Sequence, residues 1–453
     1  MRPVRLRSLV TEFGGDCRGD TVTVSGVAID SREIESGDLF IALPGARVDG
    51  HDYLDAAADA GAAAALVSHY TGSALPQWRV DHPQRVLIEL ACRARSDSRA
   101  QVIGITGSNG KTTVKEMLGA ILSRAGTTRS TRGNRNNELG VPLTLTRMQP
   151  DDDFAVIEMG CGKPGDIGLL ASWARPRIGL VTNAGPAHLS GFGSVAAVAD
   201  CKGELFEELP ARGHAIINAD DPHAPLWEQK AAHCHITRFS LEGHSAEVGG
   251  VEQPDGALEI QFEDGSVTVS LALAGRHNRR NALAAAAAAR VAGAPPAAII
   301  EGLGAVGSIA GRLERRPGQC GMTLVDDSYN ANPASLTAAL ETLTAGSAPV
   351  WLVLGDMGEL GDSAQAHHRQ AGEKARQLGV ERVFATGELS AHAVTGFGPG
   401  AQWFATRSAL IAAVVEAAAP GVCVLVKGSR QSRMDAVVAA LEAGGERGAD
   451  TCY

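Results

Sequence analysis

The sequence predicts an α/β protein of three domains. Its 453 residues correspond to roughly three domains of ordinary size. Two regions, 101–218 and 322–427, alternate short apolar runs with helical patterns, which is typical of parallel sheets built from βαβ units. In the first of these regions, at 105–118, a glycine-rich turn joins an apolar run to a helical segment. These three observations define the fold class.

The three predicted domains are 1–90, 91–310 and 311–453. The first alternates apolar runs with turns, as in VTVSGVAIDSRE and GDLFIALPG, before a helical stretch. The second contains the runs VIGIT, FAVIEMG, RIGLVTN and HAIIN, a hairpin with its turn at Asp264-Gly265, and an alanine-rich helix at 281–290. The third contains MTLVDD, VWLVLGD, RVFATG and VCVLVKGS with helical patterns between them, which predicts a second doubly wound unit.

The amino-acid composition limits the classes of molecule that the protein is expected to bind. Hydrophobic residues make up 44% of the chain but aromatic residues only 4%, so we expect tightly packed aliphatic cores. The net charge of -10 argues against a nucleic-acid partner. Binding of a small anion remains compatible with this charge, because local backbone N–H groups can provide it. No segment has ~18 uninterrupted strongly apolar residues, so we expect no membrane span.

The eight cysteines indicate the compartment. None forms a CxxC pair, which argues against a zinc site or a dithiol redox motif. In a chain of this length they are expected to be scattered free thiols in a reducing environment. The N-terminal stretch MRPVRLRSLVTEFGGD lacks the features of a signal peptide. We therefore expect a cytoplasmic protein.

The stretch ITGSNGKTTVKEML predicts a phosphate-binding loop. An apolar strand leads into two glycines, then Lys111, Thr112 and Thr113, then a helix. In this layout backbone N–H groups face the anion, the lysine reaches the β- and γ-phosphates, and the first threonine binds Mg²⁺. The strict pattern would require glycine at Ile105, so the loop is a variant. The alternative is a glycine-rich turn capped by threonine.

Two further polar residues follow predicted strands, where ligands bind in open α/β sheets. Glu158 ends the run FAVIEMG, and an acid there often holds a nucleotide-bound metal. His188 lies in the glycine-rich stretch after RIGLVTN. The alternatives are a surface carboxylate for Glu158 and an ordinary polar loop residue for His188.

Lys202 is predicted on the apolar face of a helix. The residues that share this face by three- and four-residue spacing are Val195, Val198, Ala199, Leu205 and Phe206. A lysine there can extend its ammonium to water, which is the ordinary explanation. A buried lysine with a lowered pKa is the functional one. Such an amine can react with CO₂ to form a carbamate that ligates a metal.

Three polar clusters have the composition of loops. They contain Asn278, Arg312 and Asp327, the last within the stretch 326–333 that follows the run MTLV. Polar residues after a strand suit contacts to ribose or phosphate. The last cluster equally suits a helix cap, with Ser335 leading the next helix.

Taken together, these segments make the chain similar to the Mur ligase family, the ATP-dependent amide-forming enzymes of peptidoglycan synthesis. The resemblance covers essentially the whole chain. It rests on ten ordered stretches: DSREIESGDLFIALPGARVDGHDYL, TGSNGKTTVKEML, GNRNNELGVPLTL, VIEMGCGKPGDI, TNAGPAHLSGFGS, CKGELF, GRHNRRNALAA, DDSYNANPASL, GDMGELG and VLVKGSR. The third and eighth are most typical of the member that joins D-Ala-D-Ala to UDP-N-acetylmuramoyl-tripeptide.

The resemblance implies a small α/β domain for the UDP end of the substrate, a central P-loop parallel-sheet ATPase domain and a C-terminal Rossmann-like domain that closes over both. It implies that the phosphates of ATP lie on Gly107, Ser108, Asn109, Gly110, Lys111, Thr112 and Thr113. It further implies two Mg²⁺ ions, one on Thr112 and Glu158 and one on His188 and a carbamylated Lys202. Lys111, Lys202, His188 and Glu158 would form the catalytic set.

The same resemblance assigns the remaining contacts. Asn278 would contact adenine, Arg312 a phosphate and Asp327 the ribose. The residues implied to bind the peptide substrates are Ser31 and Arg32 at the uridine end, Asn136 and Asn137 near the muramoyl-peptide, and Lys427, Ser429 and Arg430 near the incoming dipeptide. We expect a monomer.

The chain departs from the usual family pattern at three places. Arg135 stands inside GNRNNE where an apolar residue is usual, Cys161-Gly-Lys163 replaces Ala-Asn-His, and 429–433 departs from SRSMR. These changes leave the central chemistry intact and concern the acceptor side.

Three other functions compete. A sibling ligase would add a diamino acid, but such siblings carry a DNPR-like motif that this sequence lacks. A folylpolyglutamate-synthetase-like ligase shares the central loop but lacks the N-terminal UDP-side motif. A nucleotide-hydrolysing switch or binding module would turn over ATP without needing a peptide or an amine.

Overall fold

The computed structural model describes residues 1–45 and 48–444. Four sheets of two, five, nine and six strands lie along the chain in this part, with helices packed on them. Parallel pairing dominates the three larger sheets, which confirms the predicted α/β class. None of the helices in the described part has the length and apolar character needed to cross a membrane.

The N-terminal unit is a small mixed sheet with three helices. Its strands are β1 (Val4–Arg5), β2 (Asp16–Arg18), β3 (Thr23–Val24), β4 (Gly26–Ala28), β5 (Asp38–Ile41), β6 (Ala64–Val67) and β7 (Gln77–Arg79); its helices are α1 (Leu6–Phe13), α2 (Leu54–Asp59) and α3 (Pro83–Asp97). The sheet order is β2-β7-β6-β5-β4, and β1 pairs with β3. Helix α3 begins with proline at its first position, where the missing N–H costs nothing, and it crosses the predicted boundary at residue 90.

The central unit contains the largest sheet. Its strands are β8 (Gln101–Thr106), β9 (Thr128–Ser130), β10 (Phe154–Glu158), β11 (Ile178–Val181), β12 (His214–Asn218), β13 (His235–Ser240), β14 (Val248–Glu252), β15 (Leu258–Phe262) and β16 (Gly265–Val269). Its helices are α4 (Lys111–Leu122), α5 (Gly140–Thr146), α6 (Asp166–Ala174), α7 (Leu189–Phe192), α8 (Val195–Glu207), α9 (Ala224–Lys230), α10 (Arg276–Val291) and α11 (Pro296–Ala305).

The strand order of the central sheet places β8, which leads into the phosphate loop, third from one edge, between β11 and β10. The order is β16-β15-β14-β13-β12-β11-β8-β10-β9, and the pairs from β9 to β14 are parallel. The predicted hairpin forms between β15 and β16, but Phe262 pairs with Gly265, so the turn is Glu263-Asp264 and the prediction is wrong by one residue. The alanine-rich helix α10 is buried along its alanines, where small side chains allow α4 to approach closely.

The C-terminal unit is the predicted second doubly wound sheet. Its strands are β17 (Glu314–Pro317), β18 (Thr323–Asp327), β19 (Val350–Leu354), β20 (Arg382–Thr386), β21 (Ala401–Phe404) and β22 (Cys423–Lys427); its helices are α12 (Pro333–Thr344), α13 (Ala364–Gln377), α14 (Ala391–Phe397), α15 (Arg407–Ala417) and α16 (Met434–Leu441). The order is β17-β18-β22-β19-β20-β21, parallel except for β17. Asn332, not Ser335, caps α12; Ser335 completes a capping box from inside the helix.

The prediction of free thiols is confirmed in part. The cysteines that are free are Cys17, Cys92, Cys161, Cys201, Cys234 and Cys423. Cys320 is disulfide-bonded, so the prediction is wrong for it, and Cys452 lies outside the described residues.

Candidate active site

The phosphate loop lies between β8 and α4, at the carboxyl end of the central sheet. Gly107 has φ 150° and Gly110 has φ 84°, both backbone conformations that favour glycine. A Cβ atom on Gly107 would lie 1.8 Å from Thr182 Oγ1, and one on Gly110 would lie 2.4 Å from Asn281 Oδ1. Both glycines are therefore required by conformation and by space.

The residues that directly follow the neighbouring strand β11 hold the loop in place through hydrogen bonds. Thr182 Oγ1 and Asn183 Nδ2 donate to Asn109 O at 2.6 and 3.0 Å, and Asn109 N donates to Asn183 Oδ1 at 3.0 Å. Gly185 N donates to Ser108 Oγ at 2.9 Å. Thr182 and Asn183 are functional residues without a predicted role, although they directly follow β11 and their position after a strand is the signal that indicates His188.

Lys111 is the first residue of α4. Its Nζ donates to Gly107 O at 2.7 Å, which folds the side chain back over the loop. Burial lowers the pKa of Lys111 to about 8. The ammonium therefore keeps its charge at neutral pH while its only hydrogen-bond partner within the described residues is a neutral carbonyl.

Glu158 ends β10 beside the loop and is only 1% exposed. Its Oε1 accepts from Asn136 Nδ2 at 2.8 Å and from Thr112 Oγ1 at 3.4 Å. Its Oε2 is buried and has no hydrogen-bond partner in the described structure. A buried carboxylate oxygen without a partner is costly, so this atom fits a cation that binds at the loop. The alternative of a surface carboxylate is wrong.

The donor set suits Mg²⁺. The described residues contain no group of three or more His, Cys, Asp or Glu side chains that could hold a metal by themselves. Mg²⁺ is usually bound by one or two carboxylates together with waters and substrate phosphates. One carboxylate and one threonine hydroxyl next to a phosphate loop match that pattern.

Lys202 on α8 is 2% exposed, so the explanation of an ammonium that extends to water is wrong. Its Nζ donates to Cys161 Sγ at 3.4 Å, and the described structure has no carboxylate within ion-pair distance of it. A hydrogen bond from Cys201, with the charges of Lys202 and Lys111, holds the pKa of Cys161 below its usual value. A buried ammonium without a carboxylate partner is costly, which suits conversion to a carbamate.

His188 precedes α7 and has a left-handed backbone, with φ 55°. It lines the same cavity as Thr112, Glu158 and Cys161. Its Nδ1 lies 2.5 Å from Oε2 of Glu359, a residue of the C-terminal unit for which the sequence analysis proposed no role.

Two cavities meet at the loop. The larger, of about 820 Å³, lies between the central and C-terminal units, and residues 136–138, 158–163 and 329–332 contribute to its walls. The smaller, of about 270 Å³, combines apolar walls with convergent polar groups, as is usual in small-molecule sites. Its lining includes Phe239, Leu273, Ile309, His277, Asn278, Arg312, Asp327 and Lys427.

The smaller cavity brings together Asn278, Arg312 and Asp327, the residues predicted to contact adenine, a phosphate and the ribose of ATP. Asn278 Nδ2 donates to Ala274 O at 2.8 Å. Arg312 Nη2 lies 3.5 Å from Thr112 Oγ1, and the guanidinium stacks 4.2 Å from the Tyr329 ring centre. Asp327 Oδ2 accepts from Lys427 Nζ at 2.5 Å. The resemblance placed Lys427 near the dipeptide, whereas Lys427 lines this smaller cavity.

The other predicted substrate residues are dispersed. Ser31 and Arg32 form a 3₁₀ turn (Ser31–Glu33), and the Arg32 side chain, 86% exposed, is held by Asp30. Asn137 and Asn136 both line the larger cavity, but Asn137 Oδ1 also accepts from Gly140 N at the start of α5.

Ser429 and Arg430 lie just beyond β22. Ser429 N donates to Asp356 O at 2.9 Å. Arg430 is exposed and lies 3.9 Å from Asp435. Neither residue lines the two cavities, so their assignment to the dipeptide stays a prediction.

A strand–glycine loop–helix unit with a buried acid on the next strand, covered by a second α/β unit, defines a phosphate-loop nucleotide-binding protein. Three family profiles match the chain: "Mur ligase family, catalytic domain" at 23–95, "Mur ligase middle domain" at 105–289 and "Mur ligase, glutamate ligase domain" at 311–430. The chain belongs to the Mur ligase family.

Relatives and solved structures agree with this membership. UDP-N-acetylmuramoyl-tripeptide–D-alanyl-D-alanine ligase of Escherichia coli (strain K12) is 41% identical, over 98% of this chain and 100% of the relative. A crystal structure of MurF from Acinetobacter baumannii superposes with a TM-score of 0.86 at 31% identity, covering 96% of this chain and 98% of that one. MurF ligase from Thermotoga maritima in complex with ADP superposes at 0.78 with 27% identity, covering 91% and 96%.

Proposed function

We propose that this chain is an ATP-dependent ligase that joins D-alanyl-D-alanine to UDP-N-acetylmuramoyl-tripeptide, giving the pentapeptide precursor of peptidoglycan. The observation that carries the proposal is the position of the phosphate loop and buried Glu158 at one cleft between two α/β units. Similarity over the full chain to a ligase of that name supports the choice of substrates.

The first step is phosphoryl transfer. The terminal peptide carboxylate attacks the γ-phosphorus of ATP, the bond from that phosphorus to the bridging oxygen breaks, and ADP leaves an acyl phosphate behind. Carboxylate and triphosphate repel one another, so the site must supply positive charge. Lys111 supplies one positive charge. To contact the phosphates, its ammonium has to break only one hydrogen bond, to the neutral carbonyl of Gly107. Arg312 reaches Thr112 from the covering unit and can supply a second.

The second step is amide formation. The neutral amine of D-alanyl-D-alanine attacks the acyl carbon, and the tetrahedral intermediate collapses with loss of inorganic phosphate and of one proton from nitrogen. The cleft of about 820 Å³ has room for both a peptide end and a dipeptide beside the loop. Holding the two reactants together removes much of the entropic barrier.

The proposed metal-binding set comes from the family resemblance, and the buried oxygen of Glu158 beside Thr112 supports its first half. Thr112 and Glu158 would hold one Mg²⁺, and His188 with carbamylated Lys202 would hold a second. Bound ions of this kind neutralise the charge that develops on the transferring phosphoryl group. The chain itself keeps the carboxylate of Glu158 and the amine of Lys202 buried. The oxygen atoms of Glu158 and of the carbamate on Lys202 would then be held in position before the ions bind.

We further propose the substrate contacts and the cellular setting. Ser31 and Arg32 would meet the uridine end, Asn136 and Asn137 the muramoyl-peptide, and Ser429 and Arg430 the dipeptide side, whereas Lys427 would lie at the smaller cavity with Asp327. The units 1–90, 91–310 and 311–453 would be the UDP-substrate, ATP-binding and ligase domains. We propose a cytoplasmic monomer.

The test is phosphate release from ATP and Mg²⁺ with UDP-N-acetylmuramoyl-tripeptide, with and without D-alanyl-D-alanine, with mass spectrometry of the product. We expect release that depends on both partners and a pentapeptide product. Release with a diamino acid and the dipeptide substrate would move the chain to a sibling reaction. Turnover with folate substrates, or turnover indifferent to every acceptor, would reject the proposal.

A further inference from the structure

Glu359 contacts the central unit from a loop of the C-terminal unit. It follows β19 and precedes a 3₁₀ turn at Gly361–Ser363. Its Oε2 lies 2.5 Å from Nδ1 of His188, and its backbone O accepts from Ser190 N at 3.2 Å. Two contacts thus join the same two segments across the cleft.

Both partners in this contact have an uncommon backbone. The residues other than glycine with positive φ in the described part of the chain are Arg175, His188, Leu313, Cys320, Glu359 and Arg433. His188 has φ 55° and Glu359 has φ 62°. A left-handed conformation is unfavourable for a residue with a Cβ atom, and conformations of this kind cluster at functional sites.

Stability alone gives a weak reason for this arrangement. The His188 side chain is 33% exposed and that of Glu359 is 50% exposed. Ion pairs at such exposure contribute little to stability. They do not explain why both residues adopt an unfavourable left-handed backbone at this contact.

The chemistry of histidine supplies one. A histidine that binds a metal through one ring nitrogen generally donates the N–H of the other nitrogen to a carboxylate, which fixes the tautomer and the orientation of the ring. Glu359 stands at Nδ1, which leaves Nε2 of His188 for a ligand. Both side chains line the cavity that contains Thr112 and Glu158.

We infer that Glu359 is a positioning residue for His188, and that the C-terminal unit thereby completes a metal-binding set whose ligands all belong to the central unit. The inference rests on the proposed function, because His188 is assigned to the second Mg²⁺ there. It makes metal binding dependent on the domain contact: separation of the two units removes the carboxylate and leaves the imidazole free to rotate.

The experiment uses Mn²⁺ as a paramagnetic substitute for Mg²⁺, titrated by electron paramagnetic resonance into the full chain with a non-hydrolysable ATP analogue. We expect two Mn²⁺ ions per chain in the wild type. Glu359→Ala should weaken the second ion about 10- to 100-fold and leave the first unchanged. Glu359→Gln keeps an accepting oxygen without the charge. Its affinity for the second ion should lie between those of the wild type and Glu359→Ala. Glu388→Gln, an exposed acid of the same unit, is the matched control.

A second comparison separates positioning from a purely structural contact. In a His188→Ala background, Glu359→Ala should cause no further loss of Mn²⁺ affinity, since there is no ring left to position. Unchanged affinity in Glu359→Ala and Glu359→Gln, an equal loss with or without His188, or a single Mn²⁺ in the wild type would each overturn the inference.

Product formation is measured separately in the same preparations. A wild type that forms the pentapeptide while Glu359 variants bind both ions normally would overturn only the role of Glu359. If the wild type makes no product but its binding of the second Mn²⁺ depends on Glu359 through His188, the proposed ligase reaction is rejected and the positioning role is retained.

Discussion

The phosphate loop and the opposite wall of the cleft are built in different ways. The loop is seven consecutive residues, 107–113, whose shape follows from two glycines and from hydrogen bonds within one unit. The opposite wall, which we call the C-terminal rim, consists of Arg312, Asp327, Asn332, Glu359 and Lys427. These residues come from four separate segments of the chain, with Asp327 and Asn332 in the same one.

The two walls also differ in how they are held together. The rim meets the central unit through polar contacts: Arg312 to Thr112 at 3.5 Å, Asn332 Nδ2 to Asn109 Oδ1 at 2.8 Å, and Glu359 to His188. Polar contacts between domains are compatible with relative motion. The loop should therefore keep its shape when the units separate, whereas the rim should contribute only when they meet. Changes in the loop should abolish chemistry, and changes in the rim should weaken binding.

The largest effect is expected at Lys202. Lys202→Ala should nearly abolish turnover, because it removes the amine that would become a carbamate ligand. Short carboxylic acids added in solution should restore part of the activity by filling the space with an oxygen donor. Product formation with and without acetate measures this. Full activity in Lys202→Ala would rule out the carbamate role.

Lys111→Ala should lower turnover about 100- to 1,000-fold, the usual cost of removing one preorganised donor from a developing negative charge. Single-turnover measurements of acyl phosphate formation would locate the loss in the first step. Lys374→Ala, in a half-buried lysine on α13 that lies 3.8 Å from Glu341, is the control for general loss of positive charge. A change of less than threefold in Lys111→Ala would contradict the role assigned to the loop.

The same contrast explains what the sequence could predict. The loop directly follows β8, Glu158 ends β10, His188 lies in the loop after β11, and Lys202 follows helical spacing, so local patterns were sufficient to select them. Thr182 and Asn183 were missed because their partners in the loop lie more than 70 residues away along the chain. Glu359 was missed because its partner lies on another domain, and no local pattern indicates which domain surfaces will meet.

Lys427 shows why a rim residue is hard to place. Its strand, β22, lies between β18 and β19, and the register pairs Asp327 with Lys427 at the carboxyl ends of neighbouring strands. Burial lowers the pKa of Lys427, and its contact with Asp327 offsets part of that cost. Sequence patterns identify both strands but do not give their order, so they could not show that this lysine lines the smaller cavity.

A substitution at Asn332 tests the C-terminal rim, and its expected effect on kinetics is moderate. Its Nδ2 donates to Asn109 Oδ1, while its Oδ1 caps α12. Asn332→Ser keeps a capping oxygen but removes the contact between domains, which is worth about 1 kcal/mol, or roughly fivefold. We expect a corresponding rise in the KM for ATP with little change in kcat. Thr406→Ser, the equivalent change at the cap of α15, is the control. A fall in kcat at unchanged KM would place Asn332 in the chemistry rather than in closure.

The smallest effect concerns His277, which lines the smaller cavity between the units. Burial lowers its pKa to about 4 from an ordinary value near 6.5. Below pH 6.5 the unfolded chain therefore binds a proton that the folded chain does not, so acid should reduce the free energy of unfolding until about pH 4.

Between pH 7 and 5.5 this single group accounts for a loss of about 1 kcal/mol. His277→Asn should remove that part of the acid sensitivity, whereas His367→Asn on α13 should leave it in place. Denaturant unfolding at both pH values measures the difference. If His277→Asn loses as much stability as the wild type, the imidazole is protonated in the folded protein, and the cavity between the two walls is open to water rather than closed by the rim.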